Sequence, residues 1–300
     1  MKRAIGLALV GLWACAALAS GARQEKFIQI HVGKHWIWYA RQDQYEAHKA
    51  DIEAMYDYAD EAFQTLVDDW GMRPKLDHYT LLVNDQTGGG FATGDVGQAH
   101  QITGQESPGI GCSYDAFYNS AHGIKAFWAH VLITHEMVNL FTGQIVSGGW
   151  PRDWWADDKS PFPLTTAVQI EMKLVPQIAI HHLEDSEGDP LVPMFMELHE
   201  QYGWSMFRRA FSMAISDGIN WDRFGGNPSA LRTNYVAAYL EMGAKEDLSP
   251  ILGPHVPNYD HTVVAQIIRA HATWQIHARG SAEYASDARA FLDGHYDQVK

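Results

Sequence analysis

One segment constrains the chain more than any other. Between residues 121 and 141, Phe127, Trp128, Val131, Leu132, Ile133, Met137, Val138, Leu140 and Phe141 fall on nearly every side of a helical wheel. A helix that is apolar all round belongs in the middle of a protein. Yet this one also carries His130, His135, Glu136 and Asn139, and buried polar groups need partners, because an unpaired one costs several kcal/mol. The chain must therefore fold around a central helix that holds ionisable side chains. With 46% hydrophobic and 19% charged residues it has the material for such a core. Lys+Arg number 22 against 36 Asp+Glu, a formal charge of −14. No clustered basic face follows from that balance, so a nucleic-acid partner is not expected.

The organisation around the helix reads as α+β. Phe27-Ile28-Gln29-Ile30-His31-Val32 alternates as a strand does, His35-Trp36-Ile37-Trp38-Tyr39 is a second aromatic run, and residues 78–83 read as another strand. Between 44 and 70, Ile52, Met55, Ala59, Phe63, Leu66 and Trp70 recur at three and four, predicting one long amphipathic helix closed by Gly71. Gly88-Gly89-Gly90 opens a glycine-rich stretch to Gly111, suited to a sheet edge or the rim of a site. After Pro161 and Pro163 the chain reads as helices, interrupted at 185–193, 225–228 and 253–257. The expected domains are a subdomain of strands and helices over 23–158, including the 121–141 helix, and a helical subdomain over 159–300.

The N-terminus has the order of a secretory signal: Lys2 and Arg3, an apolar run from Ala4 to Leu18, then Ala19, Ser20, Gly21 and Ala22. It is too short for a comfortable membrane span. Residues 1–22 are read as a leader cut after Ala19 or Ala22, which makes the chain secreted or periplasmic. Leu12-Trp13-Ala14-Cys15 also has the outline of a lipobox, the alternative being a lipid anchor on Cys15. Once the leader is gone Cys112 is the one remaining thiol, so no internal disulfide is expected.

The chemistry points to Thr134-His135-Glu136-Met137-Val138-Asn139. Side chains four apart share a helix face, so His135 and Asn139 can aim at one centre, with Glu136 beside them to activate a water held there. Metallopeptidases use that layout with two His on zinc and the Glu as general base. The chain resembles the gluzincin metallopeptidases at this point, in particular the alanyl-aminopeptidase type. His135, Glu136, Gly143, Val146, Trp150, Asp153 and Trp155 fall on the H-E-x-x-H-x-x-x-G-x-x-V-x-x-x-W-x-x-D-x-W run of that type without a gap. Asp158 stands nineteen positions past Asn139, where those families place the Glu that completes the metal site. The resemblance implies a zincin-like half, with a twisted sheet and an active-site helix, packed on a mainly helical half. It also implies a zinc or other divalent ion on His135, Asn139 and Asp158, with Asp157 as an alternative to Asp158.

The departures from that pattern narrow the activity. Asn replaces the second His, Asp replaces Glu, and no Tyr stands near Gly188, where the aminopeptidase type has its oxyanion donor. The strand that grips a free amino terminus has no counterpart beyond Gly90-Phe91-Ala92-Thr93. An endopeptidase acting on peptides, proteins or glycoproteins is favoured over an aminopeptidase. The alternative is an inactive descendant that binds peptide or glycan in the former cleft. Tyr114, Tyr118 and Tyr235 are substitute oxyanion donors to be tested, His130 is expected to be structural, and Cys112 to be buried and inert.

Overall fold

Five strands make one sheet in the order β1-β2-β3-β5-β4. The computed structural model describes residues 27–72, 74–84, 90–93, 108–117, 124–142, 161–179, 191–217 and 230–278. The leader with Cys15, and Asp157, Asp158, Gly143, Val146, Trp150, Asp153, Trp155, Gly188, Tyr118, His181 and His182, lie outside them.

Strands β1 (Phe27–Val32) and β2 (Trp36–Arg41) form an antiparallel hairpin whose register slips between Gln29 and His31. In the turn, Asp60 accepts the backbone N–H groups of Lys34 (2.7 Å) and His35 (2.8 Å). A Cβ on Gly33 would sit 2.6 Å from that carboxylate, which is why the turn carries glycine. β2 runs parallel to β3 (Tyr79–Asn84), and β3 parallel to β5 (Gly109–Ser113). β4 (Gly90–Thr93) pairs antiparallel with β5 and ends the sheet as described. All six residues of β3 are buried, as expected of a central parallel strand.

Alternation along the strands sends Trp36, Trp38, Ala40, Leu81, Val83, Ile110 and Cys112 into the main core. Tyr39 and Leu82 go to the opposite face, with Phe27, Ile37 and Phe91 against them. Helices cover the core face. The periodicity over 44–70 predicts one helix; the chain makes two, α1 (Gln42–Glu53) and α2 (Tyr56–Asp68), with His48 already non-helical at φ −128°. The physical reason is unequal burial. α1 buries only Ile52, whereas α2 buries Tyr58, Ala59, Ala62, Phe63, Thr65 and Leu66. Packing fixes the second half, and nothing obliges the first to follow its axis.

A short turn of helix, α3 (Tyr114–Phe117), leads toward α4 (Ile124–Thr142), which packs on β4 and β5 on one side and on α2 on another. α5 (Pro161–Leu174) lies along α4 and is followed by the short α6 (Pro176–Ala179). The helical stretch that begins at Pro161 thus breaks at Val175, ahead of the first interruption expected at 185–193. α7 (Leu191–Asp217) is two helices joined at Gly203, whose φ of 64° and ψ of −174° suit glycine alone. α8 (Ala230–Ala244), the single turn α9 (Ser249–Leu252) and α10 (His261–Ala278) complete the described chain. The main core runs unbroken from Trp36 to Ile267, so the sheet half and the helical half share it. Among the described residues no helix is long and apolar enough to cross a membrane.

Candidate functional site

α4 is as buried as its composition demands. Of its side chains between Ala126 and Phe141, only Trp128 is exposed, and Leu132 and His135 are partly so. Glu136 is 5% exposed and Asn139 6%. Glu136 is held where α4 packs on β4 and β5, and Asn139 lies one turn further along the same helix.

Glu136 lies directly against Gly90 of the edge strand. A Cβ at position 90 would come within 2.6 Å of Glu136 Cγ and 2.9 Å of Oε1, and within 2.8 Å of the Gly111 carbonyl. Gly90 is paired across the sheet with Cys112, so the carboxylate sits over the β4–β5 seam. Its charge is felt there: burial first, and then Glu136, push the Cys112 thiol well above its ordinary range. Cys112 is fully buried and protonated, an inert core residue as the sequence suggested.

Asn139 donates from Nδ2 to Glu136 Oε2 at 3.2 Å. Its carbonyl oxygen, equally buried, has no hydrogen-bond partner among the described residues. His135, four residues before it on the same face, keeps partial access to solvent. Two of the sequence-derived site residues, Glu136 and Asn139, are thus bonded to each other beside the β4–β5 seam, with His135 on the same helix one turn before Asn139. The fourth, Asp158, lies outside the described residues.

His130 is structural. Its Nδ1 is 2.9 Å from Glu171 Oε1 on α5, and its ring stacks on Tyr58 of α2 at 3.7 Å and 14°. The Tyr58 hydroxyl reaches Thr134 Oγ1 at 2.9 Å. This polar knot ties α2, α4 and α5 together one turn before His135. The sequence reading missed Glu171, although it is the lone carboxylate in the otherwise apolar or polar-neutral first eleven residues of α5. It also missed Gly90, for which the triple glycine was the available signal.

Two of the tyrosines named as oxyanion donors, Tyr114 and Tyr235, are among the described residues. The Tyr114 hydroxyl accepts the backbone N–H of Arg41 at 2.6 Å, at the junction of β2 and α1. Tyr235 is fully buried on α8. A second group of ligand-type side chains lies on the helical half, where Glu241, Asp247 and His261 bring donor atoms within 4.8 Å of one another. Its carboxylates already have protein donors. Tyr259 donates its hydroxyl to Glu241 Oε1 (2.9 Å), and Ser249 its N–H to Asp247 Oδ1 (2.8 Å). The group serves as a clasp between α8, α9 and α10.

No family model, no curated protein and no solved structure matches this chain.

Proposed function

We propose that this chain is an exported metallohydrolase of gluzincin type that cleaves peptide bonds, with Glu136 as its general base. The observation that carries the reading is the placement of Glu136: a carboxylate sunk between a central helix and the edge strand, against a glycine, with His135 and Asn139 four apart beside it. An antiparallel edge strand next to such a helix also supports a zincin-like reading of the sheet half. The outer edge of β4 is the place where an extended peptide could add a strand and lay its carbonyl over Glu136.

The residues fit a divalent ion on one structural ground. Asn139 Oδ1 is a buried acceptor without a donor among the described residues, and an ion shared with His135 would satisfy it. The donor set of imidazole, amide oxygen and, from Asp158, carboxylate suits zinc or manganese rather than a thiolate-loving metal. The ion, when bound, supplies Lewis acidity to the carbonyl and the attacking water. The chain's own part is then proton handling. Glu136 accepts the proton of the attacking water and returns it to the leaving amine, and the Asn139 amide keeps the carboxylate oriented for both transfers.

A second reading has its own observation. The 3.2 Å bond from Asn139 to Glu136 closes the pair without any ion, as an inactive descendant that only binds peptide or glycan would need. Metal per chain, measured by elemental mass spectrometry on metal-replete protein and on H135A, separates the two. Near-stoichiometric metal lost in H135A, with hydrolysis abolished in E136Q while metal is kept, is the expected result. Absence of metal from both proteins overturns the hydrolase. Export is tested by N-terminal sequencing of the mature chain. Ser20 or Arg23 at its start is the expected outcome, and a lipid-blocked Cys15 would replace free secretion with an anchor.

A further inference from the structure

The accessible stripe of α4 carries more than the site. Trp128, Leu132 and His135 are the only side chains between Ala126 and Phe141 that reach solvent, and they are spaced i, i+4, i+7, with Asn139 next at i+11. They lie on one line along the helix. Trp128 is 41% exposed, on a helix whose other aromatic residues, Phe127 and Phe141, are 1% exposed or less. Its indole stands edge-on to Phe127, with ring centroids 5.2 Å apart at 78°, so the ring is backed by the core and open on its outer side. The other large exposed apolar residues among those described, Val32, Leu76 and Met172, are on β1, before β3 and on α5, so Trp128 is the one that α4 itself presents.

We propose that Trp128 selects the substrate: it receives a bulky apolar side chain of the bound peptide, about three residues from the bond that faces Glu136. The inference rests on the peptide-hydrolase reading above for the nature of the ligand. Its position comes from the helix. Seven residues at about 1.5 Å each separate Trp128 from His135 by about 10 Å, the span of three residues of extended chain at about 3.3 Å. Covering an open indole with a Phe or Leu side chain removes apolar surface from water on both partners. A small side chain at that place gains nothing.

Two readouts on the mature full-length protein test this and stay independent. The first is cleavage-site profiling with a proteome-derived peptide library, comparing the wild type with W128A and W128F. The second is fluorescence anisotropy of labelled octapeptides bound to the E136Q protein: an Ala-Gly-Ser sequence, and the same sequence with one Phe moved along it. The expected result is one favoured Phe position, whose affinity and kcat/KM fall about tenfold in W128A to the level of the Phe-free peptide. The Phe-free peptide itself is unaffected, and W128F retains most of the preference. A Phe preference unchanged in W128A, with cleavage intact, overturns the role of Trp128 and leaves the hydrolase standing. A Trp128-dependent preference in binding without any cleavage does the reverse. If peptides are neither bound nor cleaved both fall, and a soluble oligosaccharide whose binding is lost in W128A, without a peptide preference, overturns the proposal in favour of a glycan site.

Discussion

Gly90 and Glu136 depend on each other at the level of single atoms. G90A places a methyl group in space held by the Glu136 side chain and the Gly111 carbonyl. Backbone cannot yield cheaply, so the carboxylate must move. The expected outcome is about 1–3 kcal/mol of lost stability by urea titration and, on the proposed hydrolase reading, about a hundredfold loss of turnover, because a base displaced by an ångström would no longer meet its proton. The buried His130–Glu171 pair makes a different demand. H130A leaves a wholly buried carboxylate facing a void, and about 3–5 kcal/mol of destabilisation is expected in the same titration. The candidate site was legible in the sequence to the extent that it is local. His135, Glu136 and Asn139 lie within five residues, and helix geometry alone places them together. Glu171 and Gly90 were not legible, since each meets its partner across more than forty positions and no periodicity records such a contact.

At the scale of elements, the strands and the central helix followed from alternation and all-round apolarity, because burial of those residues is what both patterns encode. The helix over 44–70 did not, because spacing reports which face is apolar and is silent on whether both halves are held to one axis. Gly203 is a similar break inside α7. Its φ and ψ lie where only glycine is comfortable, and no atom lies within 4 Å of a would-be Cβ, so G203A and G203N test backbone strain by itself. Each is expected to lower stability by about 1–3 kcal/mol. The clasp between α8, α9 and α10 sets a pH dependence. Burial, opposed by the Tyr259 hydroxyl and assisted by Asp247, raises the Glu241 pKa above its ordinary value. A folded-state pKa above the unfolded one means stability that is present in acid and lost as pH rises through the raised value. Asp247, bonded by Ser249 and near His261, is shifted the other way and acts on the acid side. In urea titrations from about pH 4 to 7, E241Q should flatten the decline on rising pH and leave the acid limb unchanged.

The described residues share one main core. The expected boundary between 158 and 159 lies outside the described residues, and the core joins residues from both sides of it, from the tryptophans of β2 to Val264 and Ile267 of α10. A single cooperative thermal transition is therefore expected by calorimetry, unchanged by reductant, since the only described thiol is Cys112 and it is buried. The charge of −14 acts over the same scale. On the proposed peptide-binding reading, cationic peptides should associate faster than acidic ones, an advantage that shrinks as ionic strength rises and that rate measurements in a salt series would show. The strand order carries a consequence for time rather than for stability. β2 must find β3 some 43 positions away, with Trp36 beside Tyr79, and β5 must then close on β3 before β4, which precedes it in the chain, has a neighbour to bind. No adjacent hairpin can start the parallel centre of the sheet, and long loops have to be closed before any of its hydrogen bonds reward them. Refolding is therefore expected to be slow for a chain of this size, and stopped-flow fluorescence of its tryptophans would read the rate.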